Sequence, residues 1–331
     1  MGSMEMSLPS GNKNRGVKNM KIVFLDAKTI GDDIDLSGFE RFGEVVKYNF
    51  STSKEVPERV ENADVIILNK VQVNQETIGN AKNLKLVCVT ATGTNNLDKK
   101  YLEEKGIAWR NVAGYSTDMV AQHTFAMLFY LMEKLSYYDE YVKSGQYVGD
   151  KLFTHFANTF HELSGKTWGI IGLGAIGRRV AEIATAFGTH VIYYSTSGKN
   201  HNIDYQQVDF DTLLKESDIV SVHAPLNENT ESLMDKEAFG KMKPTSIFLN
   251  LGRGPIVVEE DLAEALSCNS IGAAGLDVLC VEPMAEDNPL RKIKDSNKIL
   301  ITPHIGWAGV ETRTRLMKII EKQVEEFIDS I

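Results

Sequence analysis

The 331-residue sequence has only three cysteines, Cys88, Cys268 and Cys280, and none stands in a CxxC or Cys/His spacing. An odd, scattered set offers no disulfide framework and no metal motif, so free thiols and no metal are expected. No apolar run approaches the ~20 residues a membrane span needs, and the N-terminus lacks the charged-then-apolar layout of a secretory signal. A cytoplasmic protein with no membrane partner is expected. Basic residues are also short: 36 Lys and Arg stand against 45 Asp and Glu, a formal net charge of -9. A nucleic-acid surface needs a clustered basic face, so that partner class is not expected either.

Residues 1–19, "MGSMEMSLPSGNKNRGVKN", are polar and rich in Gly, Ser and Asn. They read as a disordered leader or an expression remnant, with Met20 as the natural start. The remaining length suits two domains. From Lys21 the chain alternates short apolar, β-branched runs with longer helical patterns, the mark of parallel α/β layers. Strands are predicted at 21–27, 45–50, 64–69, 84–91 and 108–112, and again at 167–172, 189–195, 218–225, 246–252, 272–279 and 298–304. Between the two sets, 116–145 predicts one long helix with Ser116 or Thr117 as N-cap, Asp118 in its first turn and Gly145 as its stop. Its apolar arc is too wide for a surface helix, which suits burial between domains or subunits. With Tyr137, Tyr138, Tyr141 and "GQYVGDKLFTHF" it reads as a dimer interface, so a homodimer is expected. The chain closes in an amphipathic helix whose apolar face, Leu316, Ile319, Ile320, Val324, Phe327 and Ile328, could pack back on the first unit.

The sharpest motif is Gly172-Leu173-Gly174-Ala175-Ile176-Gly177, directly after a predicted strand and opening a predicted helix. Its first glycine permits a tight turn, the second lets backbone approach a pyrophosphate, and the third lets helix pack on strand. The helix N-terminus adds free N–H groups and partial positive charge. A nicotinamide dinucleotide is the expected cofactor. An acidic residue normally ends the next strand, where it binds the ribose hydroxyls and repels a 2′-phosphate. Here the strand ends in Ser195, Thr196 and Ser197, with Lys199 nearby. That composition favours NADP(H), or use of both cofactors, over strict NAD(H).

Three later stretches put functional side chains at strand ends: "NLGRGP" with Arg253, "GLDVLCVEP" with Asp277 and Glu282, and "TPHIGW" with His304 and Trp307. Singly, each is compatible with a structural role. Together they form a chemical set: a bidentate cation for a carboxylate, an acid–base group and a carboxylate to tune it. His123, mid-helix with no carboxylate near it in sequence, is read as a packed histidine.

With "ATGTNNLD" (91–98), "NVAGYST" (111–117), "GLGAIGR" (172–178), "VHAPLNENT" (222–230), "NLGRG" (250–254), "GLDVLCVEP" (275–283) and "TPHIGWA" (302–308), the sequence resembles the D-2-hydroxyacid dehydrogenase family from Met20 onward. It is most similar to the glycerate dehydrogenase or hydroxypyruvate reductase branch. The resemblance implies two doubly wound α/β domains: a Rossmann cofactor domain at 115–301, inserted into a flavodoxin-like substrate domain at 20–114 and 302–331. The active site would lie in the cleft and close by hinge motion.

It further implies that Arg253 holds the substrate carboxylate, that His304 exchanges the proton with the substrate oxygen, and that Glu282 orients His304 and stabilises the imidazolium. Asp277 would bind the nicotinamide carboxamide, and Ala224, Pro225, Thr230, Leu251 and Gly252 would line the cofactor. Backbone N–H groups of Thr92 and Gly93 would anchor the substrate carboxylate, Asn69 and Lys70 would set specificity, and Trp307 would wall the pocket. The implied reaction is hydride transfer between the cofactor and a small 2-oxo or D-2-hydroxy acid, favouring hydroxypyruvate or glyoxylate. The alternatives are a D-lactate or aryl-lactate specificity, or a dinucleotide-sensing binding protein on the same fold.

Overall fold

The computed structural model describes residues 19–199 and 202–331, so the leader expected at 1–19 lies almost wholly outside the described residues. The chain divides into two compact units: the chain up to Tyr115 together with Arg313–Ile331, and Ser116–Thr312. The second unit thus runs past the boundary expected at residue 301. The cause is local: Ile305 and Gly306 are hydrogen-bonded to Asp277, which keeps the turn after the last strand with that sheet.

In the first unit, strands β1 (Met20–Phe24), β2 (Gly43–Lys47), β3 (Val65–Leu68), β4 (Leu86–Val89) and β5 (Ala108–Arg110) form a parallel sheet in the order β2-β1-β3-β4-β5. This is the flavodoxin-like order. β3 and β4 are buried along their whole length, which explains their unbroken apolar sequence. The closing helix, Val310–Ser330, returns to this unit as expected, burying Leu316, Met317, Ile320 and Val324. Arg313 fixes it by donating to both oxygens of Asp33, at 2.6 and 2.9 Å, and to the Ile30 carbonyl at 2.7 Å.

In the second unit, β6 (Thr167–Ile171), β7 (His190–Tyr194), β8 (Gln206–Gln207), β9 (Ile219–Val222), β10 (Ile247–Asn250), β11 (Ala273–Leu276) and β12 (Ile299–Ile301) form a parallel sheet ordered β12-β11-β10-β9-β6-β7-β8. The order reverses between β6 and β9, the dinucleotide-binding arrangement. β8 was not anticipated, because two glutamines carry no apolar pattern.

The long helix expected at 116–145 is two helices, Thr117–Met132 and Leu135–Lys143. Lys134 breaks it in the left-handed conformation, φ 56°, with its ammonium donating to the Asn297 carbonyl at 3.2 Å. No glycine or proline marks the break, so the sequence carries no signal for it. The wide apolar arc of the first helix lies against its own sheet: a Cβ on Gly275 of β11 would come within 3.3 Å of Met127 Cε, and the Phe125 ring lies 4.8 Å from Trp168. Of the cysteines, Cys88 is buried while Cys268 and Cys280 are exposed. No helix among the described residues is long and apolar enough to cross a membrane.

A polar chain runs through this core. Trp168 Nε1 donates to Ser221 Oγ at 2.9 Å, and His223 Nε2 lies 3.1 Å from the same oxygen. Burial pushes the His223 imidazole down to about 3, so it stays neutral. The folded state therefore binds one proton fewer here than the unfolded state below the ordinary histidine range. Stability should fall as the pH drops from about 6.5 toward 3, by up to ~1.4 kcal/mol per pH unit from this group. His223→Gln should flatten that slope in urea titrations at pH 7, 6, 5 and 4; an unchanged slope would reject the assignment.

Candidate active site

The glycine turn forms where β6, β9 and β10 end. Gly172 adopts φ +92°, and a Cβ there would lie 2.8 Å from the Ala224 backbone; one on Gly252 would lie 2.9 Å from the Ala224 carbonyl oxygen. One on Gly177 would lie 2.3 Å from the Gly172 carbonyl oxygen, so the helix Ala175–Ala186 packs directly on the turn. At Gly174 the situation is opposite. A Cβ would meet nothing within 4 Å, and no side chain among the described residues caps the helix, which leaves its first N–H groups available to a ligand. This cradle fits a pyrophosphate.

A second feature fits the adenosine end of a dinucleotide. The Ser195 hydroxyl, at the end of β7, is buried without a hydrogen-bond partner among the described residues, a state that a ribose hydroxyl or a phosphate would relieve. Of the residues expected to line the cofactor, Ala224 and Leu251 are buried and Pro225 is exposed. The Thr230 hydroxyl donates to the Pro225 carbonyl at 2.7 Å and accepts the Asn227 N–H at 2.8 Å, closing the 225–230 loop.

Arg253 follows β10 in a turn held by Asn250, whose amide donates to the Arg253 carbonyl at 3.0 Å and whose oxygen accepts the Gly252 N–H at 3.0 Å. The guanidinium donates to the Gly252 carbonyl at 2.8 Å and pairs with no carboxylate among the described residues. The next residue, Gly254, abuts the loop bearing Glu282: a Cβ on it would lie 2.0 Å from the Leu279 carbonyl. Glu282 Oε1 accepts the Leu279 N–H at 3.1 Å, and Oε2 lies 2.8 Å from His304 Nδ1. The glutamate–histidine contact implied by the resemblance is therefore present.

His304 sits at φ 55°, a conformation that costs a non-glycine residue energy and needs support from its surroundings. Asp277, just past β11, provides it. Its Oδ1 accepts Thr302 Oγ1 at 2.6 Å and the Ile305 N–H at 2.9 Å, and its Oδ2 accepts the Gly306 N–H at 2.8 Å. Burial pushes the Asp277 carboxyl up, but these bonds together with His123 outweigh it, and the net shift is downward. His123 has the carboxylate neighbour that its sequence context did not disclose: its Nε2 lies 3.0 Å from Thr302 Oγ1 and 3.4 Å from Asp277 Oδ1. Trp307 is half-buried on the same turn. Burial and the neighbouring Glu259 push the Cys280 thiol up to about 12, so it is not a nucleophile near neutral pH.

The remaining expected residues belong to the first unit. Asp26, buried at the end of β1, accepts the N–H groups of Asn69 and Lys70, each at 2.8 Å. Burial raises its carboxyl, and these bonds partly offset the rise. Asn96 donates to the Asn69 and Val71 carbonyls, at 3.3 and 2.8 Å, so the loop bearing Asn69 and Lys70 is held from both sides. Thr92 donates its hydroxyl to the Val112 carbonyl at 2.9 Å. The backbone N–H groups of Thr92 and Gly93 donate to no acceptor among the described residues. Asn96, Asn250 and Thr302 were missed as supporting residues. All three lie inside the quoted motifs, and the capacity of Asn and Thr to bond local backbone was the available signal.

Residues 125–306 match the profile described as "D-isomer specific 2-hydroxyacid dehydrogenase, NAD binding domain". A hydroxypyruvate reductase of Blautia hydrogenotrophica is 38% identical over 317 residues, 93% of this chain and 97% of the relative. A glycerate dehydrogenase of Methylorubrum extorquens is 32% identical over 93% of this chain and 96% of the relative. Among solved structures, an acyclic imino acid reductase in complex with NADPH and D-Arg is 30% identical, covering 94% of this chain and 98% of its own, with a TM-score of 0.82. With its nicotinamide-dinucleotide cradle and its glutamate–histidine pair, this chain belongs to the D-isomer specific 2-hydroxyacid dehydrogenase family of oxidoreductases.

Proposed function

We propose that the protein reduces hydroxypyruvate or glyoxylate to D-glycerate or glycolate, the substrates favoured by the names of its relatives. The observation that carries the chemistry is the 2.8 Å contact of Glu282 with His304 Nδ1. An ionised carboxylate only accepts, so Nδ1 carries a proton and Nε2 is the nitrogen that exchanges one with substrate. When bound, the nicotinamide supplies the hydride to substrate C2. His304 gives its Nε2 proton to the carbonyl oxygen as charge develops there, and recovers it in the reverse reaction. Arg253, which pairs with no carboxylate among the described residues, takes the substrate carboxylate in a bidentate pair. Asp277 Oδ2, with one backbone donor, keeps capacity for the carboxamide. Thr92 and Gly93 act as a second carboxylate anchor, Asn69 and Lys70 as specificity residues and Trp307 as a pocket wall. The three free thiols suit a cytoplasmic enzyme.

NADP(H), or both cofactors, is the proposed preference. Ser195, Thr196 and Lys199 can donate to a 2′-phosphate, and the imino acid reductase named above is in complex with NADPH. We also propose a homodimer. The Tyr137–Tyr138–Tyr141 cluster anchors His155, whose ring stacks on Tyr141 at 3.8 Å. The same segment leaves Phe153 90% and Phe156 87% exposed, a patch that a second copy would cover.

Four measurements test these readings. Purified enzyme should turn over hydroxypyruvate with a higher kcat/KM than pyruvate or phenylpyruvate; equal values would defeat the substrate assignment. His304→Ala should lower kcat by roughly 10²–10⁴ with cofactor Kd nearly unchanged. Full activity in that variant would remove His304 from acid–base work. Ser195→Asp should lower the NADPH/NADH ratio of kcat/KM, and a constant ratio would take this position out of cofactor choice. In sedimentation velocity, Phe153→Glu/Phe156→Glu should convert a dimer to a monomer; a monomeric wild type would end the dimer proposal.

A further inference from the structure

We infer that Glu259 is a positioning residue for catalysis, its buried carboxylate clasping both ends of the loop that presents Glu282 to His304. The inference rests on the acid–base reading above. Glu259 opens the helix Glu259–Ser267, which follows the Arg253 turn, and is 7% exposed. It pairs with no cation among the described residues. Oε1 instead accepts the Cys280 N–H at 2.8 Å, and Oε2 accepts the Asn288 side-chain amide at 2.7 Å. A carboxylate kept in such a place without a counter-ion must be satisfied by hydrogen bonds.

These two donors bracket Glu282. The segment between them contains no helix or strand, so its backbone has no ladder to hold it. Asn288 is itself buried, and its oxygen accepts the Leu290 N–H at 3.0 Å, which fixes the far end of the loop to the short 3-10 turn Pro289–Lys292. At the near end, Cys280 Sγ donates to the Val257 carbonyl at 3.4 Å, and Gly254 leaves no room between its own backbone and Leu279. The carboxylate thus ties the helix that follows the Arg253 turn to the loop that carries Glu282. Loss of either bond frees the loop to shift, and a shift of about 1 Å at Glu282 is enough to misalign a proton-transfer partner.

The test compares steady-state kinetics for the best 2-oxo acid of the panel with NADPH binding to the free enzyme. Glu259→Gln keeps the acceptor for Cys280 but sets an amide NH₂ against that of Asn288. It should lower kcat about tenfold while KM and the NADPH Kd change by less than about twofold. The double variant Glu259→Gln/Asn288→Asp exchanges donor and acceptor and should bring kcat back to within about threefold of wild type. If the single variant fails to fold, the double variant carries the test by the same criterion. Wild-type kcat in Glu259→Gln overturns the inference. So does a joint loss of kcat, KM, Kd and thermal stability that the exchange does not repair, since that pattern marks a residue needed only for folding. Glu282→Gln, measured alongside, separates the two levels: a slow Glu282→Gln beside a normal Glu259→Gln rejects the positioning role alone, whereas a normal Glu282→Gln rejects the acid–base reading beneath it.

Discussion

The acid–base end of the site depends on one buried carboxylate. Asp277 is 4% exposed, and a carboxyl so placed would ordinarily favour its neutral form. Donors from Thr302, Ile305 and Gly306, with His123 beside them, reverse that preference. The same bonds wrap the 302–306 turn around the carboxylate. A side chain on Gly306 would intrude to 2.7 Å from Asp277 Oδ2, so only glycine lets the turn close this tightly. The left-handed geometry of His304 costs on the order of 1 kcal/mol or more and persists because its neighbours on both sides are fixed. With the backbone determined, the ring meets Glu282 with little freedom left to lose.

The pattern recurs at other strand ends. Asp26 accepts backbone N–H groups of the Asn69–Lys70 loop, and Glu259 accepts from the loop that bears Glu282. Loops after the strands of a parallel sheet leave the hydrogen-bond ladder, yet here they stay near the core, where unpaired N–H groups are costly. A short acidic side chain at the edge of the core meets that need with two acceptor oxygens. The glycines supply the complementary device, removing Cβ atoms where Gly172 and Gly252 press against Ala224.

This division explains what could be read from the residues alone. Each of the eleven predicted strands corresponds to one in the two sheets, and those buried along their whole length, such as β3 and β4, need the unbroken apolar runs that announce them. Glu282 and His304, the glycine turn and the return of the closing helix were legible for similar reasons: each rests on a local residue pattern. What stayed hidden depends on contacts that no local residue pattern announces. The neighbour of His123 is Asp277, the hydroxyl of Thr230 is engaged by its own loop, and Lys134 breaks a helix with no residue type that announces it. Gly254 reads as part of an arginine motif, but its reason for being glycine is the Leu279 backbone.

The serine at the end of β7 belongs to the same economy of buried polar groups. A carboxylate at position 195 can only accept, so it suits a ribose diol and opposes a phosphate. A hydroxyl can donate or accept, and the Ser195 oxygen, buried and without a partner among the described residues, would be satisfied by either group. Position 195 therefore stops excluding the phosphorylated cofactor without by itself selecting it. In the proposed cofactor preference, selection would pass to the charge and hydroxyls that follow, Thr196, Ser197 and Lys199, where the surface is open enough for a 2′-phosphate to keep part of its hydration. On that reading the departure from an acidic residue widens the choice of cofactor while the glycine cradle, built from backbone, stays indifferent to it.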